Sequence, residues 1–277
     1  MNSFRFAFFG SPDYARIVLS CLISADMKPE FVVCNPDKPV GRKKVLTSPP
    51  VKELALEHSI EVFQPATKSE ISDLIPRLKE LDFSVVAAYS KILPKEVVDA
   101  ARLGTLGVHP SWLPKYRGPS PIRTALLDGV DKTAVVIYKM DEGMDSGPTL
   151  WGQPFDLTGD EYLEEIAAQL WEAGGKGLVK LIPDFVEGAA IERAQDHSKA
   201  TFTKMFSTAD GEVDMQKDSA QTIYRKVRAL NPEPGVFTFN FPGREGKRVK
   251  ILKAHLEGTS LVTDVIKPEG KGEIKLN

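Results

Sequence analysis

The sequence predicts an open, mostly parallel α/β sheet with helices on both faces, followed by a small β-rich domain. Three observations carry that expectation. Short apolar runs bounded by turn residues alternate with stretches of helical apolar spacing through the first two-thirds of the chain. Alternation of this kind is how β–α–β units build a parallel sheet. From Gly235 onward the helical spacing stops, and short β-like runs (VFTFNF, RVKILKAHL, SLVTDVI, GEIKL) follow one another across Pro and Gly turns.

The elements can be justified in order. Phe4–Phe9 is an apolar run that stops at Gly10-Ser11-Pro12, which supplies a glycine turn, a Ser N-cap and a Pro at the first helical position. Asp13–Ser24 has the apolar spacing of a helix, and Glu30–Cys34 reads as a strand. Asn35–Lys44 is rich in breakers and positive charge and reads as a loop. A helix is expected over Val51–His58, a brief strand over Glu61–Phe63 and a helix over Glu70–Glu80. Ser84–Ala88 reads as a buried strand ending at Tyr89-Ser90-Lys91, and Leu106–His109 as another, with a helix over Ile122–Leu127. Ala134–Lys139 and Thr149–Phe155 read as strands and Tyr162–Glu187 as a long helix. Ile191–Ala209 loses regular periodicity, so the expected organisation is a catalytic domain over 1–190, a linker over 191–209 and a C-terminal domain over 210–277. Within that last part Thr222–Ala229 has an amphipathic helical pattern.

Composition narrows the function classes. The net charge of −2 excludes a generally basic nucleic-acid coat, but the charge is uneven: residues 198–277 carry +4 and the first 197 carry −6. A mildly basic C-terminal part suits contact with a polyanion, and equally suits an ordinary solvated surface. Cys21 and Cys34 lie in apolar contexts and are too few for a disulfide framework or a four-cysteine zinc site. They read as reduced core residues of a cytoplasmic protein. The start FRFAFFG lacks the charged region and cleavage site of an export signal, and no apolar run reaches membrane-spanning length.

Two segments carry the chemistry. Val108–Arg123 reads VHPSWLPKYRGPSPIR, and Met140–Gly147 reads MDEGMDSG. His109 and Asp145 each follow a predicted strand on a turn-rich loop, where they can converge beyond the carboxyl ends of the sheet. A histidine and a carboxylate so placed are the parts needed to move a proton during acyl-type transfer. No metal-ligand cluster is visible. Gly10-Ser11-Pro12-Asp13 is not GxGxxG, so dinucleotide binding has no support.

Together these segments resemble the signature of the folate-dependent formyltransferases, and the resemblance runs over roughly residues 4–255. It implies a Rossmann-like catalytic sheet and a C-terminal OB-like domain, which here is expected to be shorter than usual. It also implies a cytoplasmic, monomeric enzyme without metal. That enzyme would move the formyl group of 10-formyltetrahydrofolate to the α-amine of methionine carried on initiator tRNA. On this resemblance His109 and Asp145 are the catalytic pair. Ser111, Trp112, Leu113 and Pro114 would line the folate site, with Trp112 standing where the family usually has leucine. The backbone near Tyr89 and the loop of Asp141, Glu142 and Met144 would hold the pterin.

On the same resemblance Arg42, Lys43 and Lys44 stand at the place of a basic insertion that enters the acceptor arm of tRNA; without it they read as a solvated surface loop. Lys226 and Arg228 are candidate phosphate contacts or plain helix-surface charges. The family also carries an asparagine two residues before the histidine, whose amide holds the formyl oxygen; here that position is Gly107. Glycine leaves room for a water or a neighbouring polar side chain. If a missing donor limits the reaction, Gly107→Asn is expected to raise turnover. Four readings therefore stand: transfer to methionyl initiator tRNA, transfer to a sugar nucleotide, hydrolysis of formyltetrahydrofolate, and a non-catalytic folate- or tRNA-binding relative.

Overall fold

A computed structural model describes residues 4–41 and 44–276; the side chain of Val40 also lies outside the description. Arg42 and Lys43, two of the basic residues singled out above, therefore fall outside the described residues.

The larger sheet has seven strands: β1 (Phe6–Phe9), β2 (Phe31–Val33), β5 (Glu61–Phe63), β6 (Phe83–Ala87), β7 (Thr105–His109), β8 (Lys132–Lys139) and β9 (Thr149–Asp156). Their order is β5-β2-β1-β6-β7-β8-β9. The pairings β2·β5, β1·β2, β1·β6 and β6·β7 are parallel, whereas β7·β8 is antiparallel. Central strands read as continuous apolar runs because both of their faces are covered. All of Phe6–Phe9, Phe31–Val33 and Thr105–His109 are buried. Strand order reverses direction beside β1, with β2 on one side and β6 on the other. Ligands of open α/β sheets bind at the carboxyl ends near such a switch.

The helices of this part of the chain are α1 (Asp13–Ser24), α2 (Pro50–Glu57), α3 (Lys68–Ser72), α4 (Ile75–Leu78), α5 (Lys95–Val98), α6 (Pro121–Asp128) and α7 (Leu163–Val186). Two expectations are corrected here. The helix expected over Glu70–Glu80 is divided into α3 and α4, because Pro76 has no N–H to continue the ladder and its ring clashes with the preceding turn. The loop after β2 contains a small antiparallel hairpin, β3 (Lys38–Val40) with β4 (Val45–Thr47).

The chain groups into two compact units. One comprises residues 1–117, 134–154 and 167–201; the other comprises 118–133, 155–166 and 202–277. In the first unit, the segment expected as a linker is pinned from its start: Thr149 and Arg193 exchange two backbone hydrogen bonds of 2.9 Å. A short 3₁₀ turn follows over His197–Lys199. In the second unit α8 (Ala220–Leu230) precedes an antiparallel sheet of β10 (Val236–Thr238), β11 (Val249–Glu257), β12 (Ser260–Pro268) and β13 (Ile274–Lys275), in that order. The strongly amphipathic pattern of α8 has its physical origin in Ile223, Tyr224, Val227 and Leu230, all buried.

Candidate active site

His109 is the last residue of β7, and its ring is almost fully covered, with 5% of the residue exposed. Its Nε2 lies 2.9 Å from the carbonyl oxygen of Tyr116. A carbonyl can only accept, so Nε2 carries a proton there and Nδ1 is the nitrogen that faces Asp145. Tyr116 presents that carbonyl from a left-handed backbone, φ 59°, within the turn that Pro114 begins. The turn is fixed from below by the Ser111 hydroxyl, which donates to the carbonyl of Lys115 at 2.7 Å. From the other side, the N–H of Tyr116 donates to the Thr201 hydroxyl at 2.8 Å and the N–H of Arg117 to the Thr201 carbonyl at 2.9 Å.

Asp145 lies on the loop between β8 and β9, also with a left-handed backbone, φ 49°. Its Oδ2 stands 3.6 Å from His109 Nδ1, and its Oδ1 accepts a 2.6 Å hydrogen bond from the Tyr138 hydroxyl. A 3.6 Å separation is longer than a formed hydrogen bond, but such contacts commonly tighten only with substrate present. The gap is wide enough for the two groups to address one proton on an incoming group.

Three constraints shape the loop that carries Asp145. Asp141 accepts from the Gly143 N–H at 3.0 Å and from the Ser146 hydroxyl at 2.6 Å, which closes the turn. Gly147 is required by close approach: a Cβ there would lie 1.8 Å from the carbonyl oxygen of Lys139. The Gln195 amide then donates to two backbone carbonyls of the loop, Asp145 at 2.9 Å and Gly147 at 2.7 Å.

Gln195 is itself held by a buried guanidinium. Arg117, 4% exposed, donates to Gln195 Oε1 at 2.7 and 3.2 Å and to His197 Nδ1 at 3.1 Å. The histidine loop and the aspartate loop are thus tied together through Arg117 and Gln195. Sequence reasoning missed Gln195, His197 and Tyr138. The first two lie in a stretch without periodicity and the third inside an apolar strand, so none carried a local signal.

The remaining expected residues are placed as follows. Leu113 is buried in a cluster with Val136 and Tyr138, and Trp112 is 53% exposed. Pro114 is half-buried beside it, while Glu142 and Met144 are exposed on the aspartate loop. Tyr89 lies two residues beyond Ala87, the residue of β6 that pairs with Val108, so it emerges at the same end of the sheet as His109. Its ring packs edge-on against Phe9 at 5.8 Å between centroids, and its hydroxyl is buried without a hydrogen-bond partner among the described residues. Burial raises the Tyr89 phenol to about 12.

Lys44 is exposed next to β4. In the second unit Lys226 donates to the Glu212 carbonyl at 2.8 Å. Arg228 is not the surface charge that was expected: it is 2% exposed, its guanidinium lies 4.8 Å over the Tyr224 ring, and it donates to the Glu161 carbonyl at 3.1 Å. Its charge is used inside the fold, where a cation over an aromatic face is stabilised.

Gly107 does not leave an open hole. A Cβ built there would lie 2.5 Å from Cε1 of Tyr138, 2.7 Å from Cζ and 2.9 Å from the hydroxyl. The expectation that Gly107→Asn raises turnover is therefore reversed: the amide would have to displace an aromatic ring from a packed site.

A histidine and a carboxylate facing each other beyond the carboxyl end of a parallel strand are groups that can pass a proton in an α/β fold. The chain belongs to the formyl transferase family, whose model "Formyl transferase" matches residues 4–182 and whose model "Formyl transferase, C-terminal domain" matches residues 205–274. Among its relatives, the methionyl-tRNA formyltransferase of Chloroflexus aurantiacus is 38% identical over 270 residues, covering 97% of this chain and 86% of the relative. That of Chloroflexus aggregans is 40% identical over 257 residues, covering 92% and 81%. The solved methionyl-tRNA formyltransferase from Clostridium thermocellum superposes with a TM-score of 0.61 at 18% identity, over 96% of this chain and 98% of that one. At that identity the last likeness speaks to the fold.

Proposed function

We propose that this protein transfers the formyl group of 10-formyltetrahydrofolate to the α-amine of methionine on initiator tRNA, in the cytoplasm, as a monomer. The observation that carries the reading is the His109–Asp145 pair held beyond β7 in a chain matched by both the N- and C-terminal formyl transferase models. The neutral amine attacks the formyl carbon, so a new C–N bond forms and the carbonyl oxygen becomes an oxyanion. The amine must lose a proton. His109 Nδ1 and Asp145 Oδ2 face one another and form the pair that takes it. The imidazolium so produced carries a proton on Nδ1 that it can donate to the developing oxyanion, an interaction worth most where water is excluded. Collapse of the intermediate breaks the bond to the folate nitrogen, which receives a proton as it leaves.

Trp112, half-exposed above the buried Leu113, offers an aromatic face to the folate ring. Ser111 and Pro114 shape that side indirectly, because the Ser111 hydroxyl is bonded within the turn. The backbone beside Tyr89 and the loop at Asp141, Glu142 and Met144 hold the pterin. Residues 1–190 act as the catalytic domain, 191–209 as the connection and 210–277 as the RNA-binding part. Arg42, Lys43, Lys44 and Lys226 are the cations offered to phosphate, and Arg228 contributes through folding of α8 instead.

Purified protein incubated with 10-formyltetrahydrofolate and methionyl initiator tRNA should yield formyl-methionyl-tRNA. Formate release without transfer would favour a hydrolase, and transfer only to an amino-sugar nucleotide would favour that branch. Folate binding with no turnover on any acceptor would mark a binding protein.

A further inference from the structure

Gly107 and Tyr138 are direct cross-strand partners in the β7·β8 ladder, and His109 pairs with Val136 two residues further along. Side chains two apart on a strand share a face, so positions 107, 109, 136 and 138 look out on the same side of the sheet. That side carries the proposed proton-transfer pair.

We propose that Tyr138 is a positioning residue for formyl transfer: its ring fills the space that Gly107 leaves, and its phenol holds the Asp145 carboxylate in place against His109. The proposal rests on the roles assigned to His109 and Asp145 above.

Three observations support it. The ring and a side chain at 107 exclude one another, since a Cβ there would stand 2.5–2.9 Å from three atoms of the phenol end. The ring is 4% exposed, packs with Leu113 and Val136, and meets the His109 ring edge-on at 6.5 Å, so it has one seat. From that seat the hydroxyl donates to Asp145 Oδ1 at 2.6 Å, while the other oxygen, Oδ2, faces His109. A short bond from a neutral donor to a carboxylate is among the stronger hydrogen bonds, and it fixes the rotation of the carboxylate plane. Burial first, and then the neighbouring Asp145 charge, push the phenol well above its ordinary range, so it stays a donor across working pH. Because its proton is committed to Asp145, Tyr138 acts through that residue.

The test is Tyr138→Phe, which keeps the ring and removes only the hydroxyl. kcat is expected to fall by about tenfold or more, corresponding to about 1.4 kcal/mol or more. KM for the folate donor and the melting temperature should change little. Gly107→Ala should lower kcat by displacing the ring. Added to Tyr138→Phe, it should cost little more in kcat, since both changes break the same bond. Tyr138→Phe with the wild-type kcat overturns the proposal, as does a loss that falls on KM rather than kcat, or strict additivity of the two substitutions in kcat. A wild-type protein that moves no formyl group is a separate result, read before any variant is made, and it removes the proposed function together with the role assigned to Tyr138.

Discussion

At the scale of single residues, the site depends on each heteroatom having one assignment. Nε2 of His109 meets the Tyr116 carbonyl, Oδ1 of Asp145 accepts from the Tyr138 phenol, and Nδ1 faces Oδ2 at 3.6 Å. His109→Ala and Asp145→Ala are each expected to lower kcat by roughly 10²–10⁴, the usual worth of positioned proton transfer. Circular dichroism should stay native for both, and near-wild-type turnover in two folded variants would remove them from the mechanism. Cys34 gives an independent check on burial. Desolvation raises its thiol to about 11, and Cys21 is raised for the same reason. The thiolate is the reactive form. A disulfide reagent at neutral pH should therefore leave Cys34 unmodified in the native protein and modify it promptly in urea; rapid native reaction would contradict the packing around β2.

Among the elements, the loop joining β8 to β9 is the one whose shape the chemistry needs. Gly147→Ala places a methyl carbon against the backbone oxygen of Lys139, and neither side is a flexible tip that can retract. The expected result is a stability loss of about 1–3 kcal/mol in urea titration, as for other overpacked sites, with activity lost together with the bonds from Gln195. A fully active, fully stable variant would mean the loop is looser than described. Elements of this kind also explain what could be read in the chain beforehand. The parallel strands announced themselves as continuous apolar runs, and α1 by its Pro-led start; these are local patterns. His109 and Asp145 stand out in the sequence only through the long motifs that hold them, and the structure brings the two to 3.6 Å of each other. Tyr138 and Gln195 were not, because their importance arises only when β8 is laid beside β7 and when the segment after α7 is pinned at Arg193. Arg228 was misplaced for a related reason. A cation on an amphipathic helix is ordinarily solvated, and the carbonyl that accepts from this one belongs to Glu161, 67 residues away in sequence.

For the molecule as a whole, the local basic run at Arg42–Lys44, set in an otherwise acidic part of the chain, becomes a prediction about salt. If the basic stretch after β2 meets an RNA backbone, binding releases counterions and affinity falls steeply as salt rises. Changing Arg42, Lys43 and Lys44 together to Glu should raise KM for charged tRNA and flatten the dependence of log affinity on log salt by about two to three units, at roughly 0.7–0.9 per lost contact. KM for the folate donor should not move. Unchanged tRNA affinity with an unchanged salt slope would place the RNA-binding surface elsewhere on the chain. No helix among the described residues is long and apolar enough to cross a membrane.

The shared space between positions 107 and 138 also couples sequence change at the two. With any side chain at 107 there is no room for the tyrosine. With small residues at both positions a void opens under the catalytic face, and voids left by a lost aromatic cost about 3–5 kcal/mol. Position 107 therefore accepts a side chain only where position 138 gives up its ring, and position 138 keeps its ring only where 107 stays bare. The two positions behave as one unit of sequence, each holding the other in place although neither is His109 or Asp145.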